Sequence, residues 1–334
     1  MKMADDSRSP LGIACGKVIL LGEHAVVHGV PAIAVGIDRG AHARATLLSG
    51  GPSELLVPEW DVHVREGESG PMIAQAFSEI VRVTRERLAE TGRALVPSRV
   101  EGLADLPPGG GLGCSAATGV AVARALDPSA NAAEIASRVM AWERVFHGNP
   151  SGVDAAVAAR GGCVYFQRGE PIVSLRLRGE LTLAVGSTGV PSSTKTMVDA
   201  VAARLASDPA GTRALFEGVR HLVFRARGAI ESGDVTALGR TLDENQDVLD
   251  RLALSTSAID TMCRAAKATG ALGAKLTGAG GGGSVVALVD SVEQGERVVA
   301  AWQRDGFTGF VTRVRGSIER RPETVREDET EAVP

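Results

Sequence analysis

The chain has 334 residues, of which 44% are hydrophobic, 23% charged and 3% aromatic, and its formal net charge at pH 7 is −4. That length supports one large or two medium cores, and the composition is that of an ordinary soluble globular protein. With an acidic balance and only one Tyr and three Trp, the chain offers neither the basic face nor the stacking platform that a nucleic-acid partner needs. An anionic substrate must then be met by a few local charges. Cys15, Cys114, Cys163 and Cys263 are scattered and form no CxxC or Cys/His cluster, which predicts reduced thiols in a cytoplasmic protein. The opening MKMADDSRSP holds acids and no apolar segment, so no signal peptide is expected. Apolar runs are broken well short of the ~20 residues that a membrane span needs.

In chain order, residues 13–21 predict a buried strand, GEHAVVHG a polar turn and residues 30–37 a second apolar segment. Residues 43–48 and 53–57 read as strands joined by Gly50-Gly51-Pro52. Ile73, Phe77, Ile80, Thr84 and Leu88 recur at three- and four-residue spacing, predicting an amphipathic helix over 71–90. Two more helices are expected over 114–126 and 131–146, the second with Asn131 as its N-cap. Gly161-Gly162 then breaks the pattern before a strand at 163–167. Beyond residue 180 the texture changes. A strand at 181–186 precedes long helices with Leu215, Val219, Leu222, Ala226 and Ile230 on one face, and Val235, Leu238, Leu242, Leu249 and Leu252 on the next. A helix over 258–269, strands at 283–289 and 309–314 and a helix over 292–304 complete a mixed half. The division is placed near residue 180, giving domains 1–180 and 181–319, and 320–334 reads as a disordered tail.

Within this frame, the run LPPGGGLGCSAATGVAVARAL at 106–126 sets a glycine nest against the start of a helix. Gly109, Gly110, Gly111 and Gly113 free the backbone to approach a ligand, so that N–H groups converge at a helix N-terminus, an arrangement that binds phosphate. It is not a Walker loop, because Cys114 and Ser115 follow Gly113 where that motif requires Lys and a hydroxyl residue, and it does not fit GxGxxG. Alone it also reads as a glycine-rich connection into a core helix. In ACGKVILLGEHAVVHGVPAIAVGI, at 14–37, Lys17, Glu23, His24 and His28 bracket a buried strand. Lys17 either meets an anion or snorkels and pairs with Glu23. In WERVFHGNPSGVDAAVAARGG, at 142–162, a turn lies between Glu143 and Asp154 and can fold both carboxylates toward one site, where two acids beside a triphosphate call for a divalent cation. Asp154 could equally serve a helix N-terminus. The glycine run in KLTGAGGGGSVVALV, at 275–289, lets backbone pass close to another loop or to phosphate.

Taken together, GKVILLGEHAVVHG, PPGGGLGCSAA and KLTGAGGGG resemble the GHMP kinases, and GEHAVVHG with ERVFHGNPSGVD resembles the mevalonate kinase branch of that superfamily. The likeness runs from residue 14 to about 289. It implies an α+β fold of GHMP kinase type: an N-terminal domain like ribosomal protein S5 domain 2, with a left-handed βαβ crossover, and a ferredoxin-like C-terminal domain across a cleft. It also implies ATP held by Pro108, Gly109, Gly110, Gly111, Leu112, Gly113, Cys114, Ser115 and Ala116, and Mg²⁺ held by Ser115 and Glu143. Asp154 and Lys17 would be catalytic, and Glu23 and His24 would join them in binding mevalonate. A cleft-lining segment at 192–196 and support of the phosphate loop by Gly278, Gly280 and Gly281 follow on the same ground. The activity implied is transfer of phosphate from ATP to the 5-hydroxyl of mevalonate, on the route to isoprenoids. A different small hydroxy acceptor, such as phosphomevalonate or homoserine, and a non-catalytic sensor of the same fold stay open. So does oligomeric state, a homodimer included. One departure stands out: the family pattern PxGxGLGSSAA has Ser where this chain has Cys114. At a helix N-terminus that thiol is expected to have a lowered pKa and to be alkylated readily in the empty site.

Overall fold

The computed structural model describes residues 10–106, 109–148 and 150–316. Pro108 and the expected tail at 320–334 lie outside the described residues. The first half is built on a seven-stranded sheet. Strand β1 (Leu11–Leu21) lies antiparallel to the long β2 (Ala32–Leu47), and the remaining order is β4-β3-β5-β2-β6-β7, with β3 (Glu54–Val57), β4 (Val62–Arg65), β5 (Ser98–Ala104), β6 (Cys163–Phe166) and β7 (Val173–Leu175). β3 and β5 run parallel, as a connection through the intervening helix α1 (Met72–Glu90) permits. On α1, Phe77, Ile80, Thr84 and Leu88 are buried as the spacing predicts. Helices α2 (Cys114–Leu126), α3 (Ala132–His147) and α4 (Val153–Arg160) complete this layer.

The two segments read separately at 30–37 and 43–48 are one strand. Its register jumps from Gly16 opposite Ile37 to Cys15 opposite Gly40, so Asp38 and Arg39 bulge out of the ladder. The sequence Asp38-Arg39-Gly40 looks like a turn because it is a bulge. Gly40 is required there: a Cβ would stand 1.9 Å from the Ala14 carbonyl oxygen. The displaced residues reach the second half, where the Asp38 amide donates to Thr312 Oγ1 at 3.2 Å and the Arg39 guanidinium lies 4.0 Å above the Phe310 ring.

That second half is a four-stranded antiparallel sheet, β11-β8-β10-β9, made of β8 (Leu181–Ser187), β9 (Gly273–Thr277), β10 (Ser284–Val289) and β11 (Thr308–Val314). It carries α5 (Thr194–Ser207), α6 (Pro209–Ser232), α7 (Val235–Arg251), α8 (Ser257–Ala268) and α9 (Val292–Arg304). Each of these five helices starts at a capping side chain. Ser193, Asp208, Asp234, Thr256 and Ser291 each accept a backbone N–H from the first turn, and Asn131 with Glu134 forms a capping box on α3. Helices α2 and α4 start instead at Gly113 and Gly152, both with positive φ and neither with a side-chain cap. At α4 the Val153 amide donates to Ser151 Oγ at 3.4 Å, whereas the first N–H groups of α2 are left for something other than the helix itself.

Candidate active site

Both uncapped helix starts converge on Lys17. The Lys17 amide donates to the Leu112 carbonyl at 2.8 Å, which ties the glycine loop to β1 just ahead of α2. Gly109, Gly111 and Gly113 all have positive φ, near +74°, and a Cβ on Gly113 would stand 3.3 Å from Lys17 Cβ. The backbone disfavours side chains at all three positions and the space does so at Gly113 as well, and the uncapped start of α2 forms an anion-binding end. From β1 the Lys17 side chain, itself buried, reaches Asp154 Oδ1 at 2.7 Å in the first turn of α4. The pairing of Lys17 with Glu23 that the sequence left open does not form. Asp154 lies at a helix start, as its position suggested, and is also the partner of the buried ammonium.

Beside this pair, Ser115 Oγ donates to Glu143 Oε1 at 2.6 Å and receives the Trp142 indole N–H at 3.2 Å. Burial pushes the Glu143 carboxyl up to about 7; the Asp154 charge adds to that rise, while the Ser115 hydrogen bond and Lys17 oppose it. The His147 ring lies 3.7 Å from Glu143 Oε2 and has its pKa lowered, chiefly by burial. The turn between α3 and α4 thus brings both acids to one place, as their spacing suggested. Ser115 and Glu143 supply hard oxygen donors of the kind Mg²⁺ prefers, and a carboxyl kept proton-loving by burial is one that a cation would relieve. Among the described residues no group of three or more His, Cys, Asp or Glu gathers as a metal cage.

From the second half, the run after β9 packs on the glycine loop. Ser284 Oγ donates to the Gly110 carbonyl at 2.7 Å, and a Cβ on Gly278 would meet the Gly111 carbonyl at 3.5 Å. Ser192 Oγ donates to the Gly280 carbonyl, which brings the 192–196 segment to the same glycines. Thr277 Oγ1 bridges the Ile19 amide and carbonyl, both at 3.0 Å. His24 Nε2 lies 2.7 Å from the Ala279 carbonyl; since a carbonyl only accepts, Nε2 carries the hydrogen. Glu23 faces inward, its two oxygens taken by Lys275 and Asn245. The sequence reading assigned no role here to Lys275, Asn245 or Trp142, although Lys275 and Trp142 open two of its motifs. Lys275 pairs across 252 residues of sequence, beyond the reach of any local reading, whereas Trp142 stands beside Glu143 and could have been weighed with it.

The thiol expectation is overturned. Cys114 is 7% exposed, its Sγ donates to the Leu106 carbonyl at 3.5 Å, and burial raises its pKa to about 11. The side chain turns into the core, so loss of water outweighs the helix N-terminus. Maleimide is therefore expected to leave Cys114 unmodified in the native apo protein at pH 7 and to label it once the chain is unfolded in urea. Rapid native labelling, read by mass spectrometry, would show the thiol to be open to solvent.

An anion-binding helix end, a buried ammonium held against a carboxylate, and two sheets meeting over a glycine loop are what a small-molecule kinase of the GHMP type presents. Residues 77–162 match the family model of the GHMP kinases N terminal domain, and residues 226–307 match that of GHMP kinases C terminal. The mevalonate kinase of Aeropyrum pernix is 35% identical over 320 residues, covering 91% of this chain and 96% of that one. The mevalonate kinase of Mus musculus is 31% identical and covers 91% and 92%. The crystal structure of L. major mevalonate kinase in complex with R-mevalonate superposes with a TM-score of 0.75 at 28% identity, over 92% of this chain and 96% of that one. The chain belongs to the mevalonate kinase family.

Proposed function

We propose that this protein transfers the γ-phosphoryl group of ATP to the 5-hydroxyl of mevalonate, giving 5-phosphomevalonate and ADP. The observation that carries the reading is the 2.7 Å pair between Lys17 and Asp154 beside the uncapped start of α2; family membership supports mevalonate as the acceptor. Residues 108–116 take the ATP phosphates, chiefly through backbone N–H groups. Since the Cys114 thiol is turned inward, its share is its amide. Ser115 and Glu143 hold Mg²⁺, which when bound neutralises phosphate charge. An acceptor hydroxyl placed between Lys17 and Asp154 gives its proton to the Asp154 carboxylate, while the ammonium favours the alkoxide and the charge gathering on the transferred group. The oxygen then forms its bond to γ-phosphorus as the bond to the β-phosphate oxygen breaks, and ADP departs. Phosphoryl transfer asks mainly for position and charge, so this set suffices. His24 lines the acceptor side, and Glu23 shapes it from the interior.

Two broader readings accompany this one. The change of sheet between β7 and β8 supports a division of the chain near residue 180. Cys15, Cys114, Cys163 and Cys263, all free and buried, support a cytoplasmic setting; no helix among the described residues is long and apolar enough to cross a membrane. The direct test is ADP release with Mg·ATP, comparing mevalonate, phosphomevalonate, homoserine and galactose. Strong turnover with mevalonate alone is expected. Turnover with another of the four and not with mevalonate would reassign the acceptor, and none with any, despite ATP binding, would favour a sensor.

A further inference from the structure

Lys275 and Glu23 form an ion pair in which neither side chain is exposed to solvent. Glu23 follows β1 in the first half of the chain, whereas Lys275 lies in β9 of the second. Asn245, from the middle of α7, donates Nδ2 to the other Glu23 oxygen at 3.3 Å, and its own Oδ1 is buried without a hydrogen-bond partner. The Lys275 ammonium also donates to the Leu276 carbonyl. A complete ion pair withdrawn from water is costly. Apolar side chains of similar volume would hold the same space as firmly, so stability alone does not account for these residues.

What the pair touches suggests its use. Lys275, Thr277 and Ala279 are alternate residues on one stretch of chain, and each contacts the segment that runs from β1 to His24. Lys275 meets Glu23, Thr277 Oγ1 bridges both backbone groups of Ile19, and the Ala279 carbonyl takes the His24 Nε2 hydrogen. His24 adopts a left-handed backbone, φ 58°, which a non-glycine residue keeps only when its surroundings enforce it. Gly278, on the other side of this stretch, lies against Gly111 of the phosphate loop.

We propose that Glu23, Lys275 and Asn245 form a latch between the two halves that positions His24 and the 278–283 glycine run together, so that acceptor side and phosphate side assemble in one register. Glu23 is thereby a positioning residue that acts through His24 and β9, not a group that touches the acceptor. The effect on turnover rests on the mevalonate reading; the effect on structure does not.

The test uses the full chain as Glu23→Gln, Lys275→Met and the double variant, measuring kcat, the KM for mevalonate and for ATP, and hydrogen–deuterium exchange of segments 22–29 and 278–283. Each single variant leaves one buried charge or its partner unmatched. It is expected to speed exchange in both segments and to raise the KM for mevalonate by roughly tenfold, with a smaller change in kcat. The double variant, neutral and similar in volume, is expected to restore exchange and to bring that KM to within about threefold of the wild type. Restored exchange with KM still as high as in Glu23→Gln would mean that Glu23 contacts the acceptor, and the proposal falls. It also falls if the two segments do not respond together. Should Glu23→Gln fail to fold, Asn245→Ala removes one hydrogen bond from the same carboxylate and must move both segments in the same direction, or the latch is refuted. If the wild type does not use mevalonate, the exchange pattern alone decides the latch, and it is the acceptor reading that fails.

Discussion

Asp154→Asn is expected to lower kcat by about 10³-fold, within the range general-base removal produces, while the Kd for Mg·ATP changes by less than about threefold. The amide is nearly isosteric and keeps an oxygen against the ammonium seen at 2.7 Å from Asp154, so the α4 start keeps its shape. What is lost is a group that takes a proton. An ATP-binding role for Asp154 would show instead as weakened nucleotide binding alongside the lost turnover, and a structural role as a lowered Tm; titration calorimetry with a non-hydrolysable ATP analogue and a thermal melt separate the three. Retained turnover would remove Asp154 from the chemistry. The conservative reverse, Asp154→Glu, places the carboxylate one methylene too far and is expected to recover little, since the near-attack geometry tolerates errors of only about an ångström.

Gly113, Glu143 and Asp154 could be singled out from sequence because each stands inside a short pattern that local physics demands. Gly113 is dictated by a positive φ pressed against Lys17, and Glu143 and Asp154 by a turn that closes between two helices. The amphipathic helices were legible for the same reason, as the buried face of α1 shows. Legibility failed where a partner is distant or an element is short. The strands β4, β7 and β9 are short, β5 alternates with charged residues, and α5 buries only Val201 along its length, so none of them declares itself. β9 contains a lysine that is fully buried only because Glu23 lies opposite it. The 16-residue β2 was split in two because its bulge, Asp38-Arg39, imitates a turn and finds its meaning only against Thr312 and Phe310. Cys114 failed in another way: the helix N-terminus was visible, but whether the thiol faced the ligand or the core was set by packing around Leu106.

Burial of Glu143 makes the opposite kind of prediction, one in which disabling the enzyme strengthens the fold. The folded protein holds the Glu143 proton up to about pH 7, against an ordinary value of 4.5. Between those values the folded chain binds more protons than the unfolded one, so stability from this group is fully present below pH 4.5 and is lost as pH rises through 7. The loss amounts to about 3 kcal/mol at pH 8, given 1.36 kcal/mol per unit. The groups facing it are Ser115, Asp154, Lys17 and His147. Because burial lowers the His147 pKa, the stability linked to that ring is present above its ordinary value and is lost as pH falls, the opposite sense. The comparison must therefore be wild type against Glu143→Gln, in which His147 is common to both and only the Glu143 share differs. The amide side chain of that variant retains an oxygen to accept from Ser115 but cannot ionise. At pH 8, without nucleotide, the variant is expected to melt on the order of 5 °C above the wild type, and at pH 5 close to it. Adding Mg·ATP should reverse the order, raising the Tm of the wild type far more than that of a variant whose turnover has fallen by at least about 10²-fold. A variant no more stable than the wild type at pH 8 would mean that water reaches Glu143 in the free enzyme. A variant that gains as much as the wild type from Mg·ATP would take Glu143 out of the metal site.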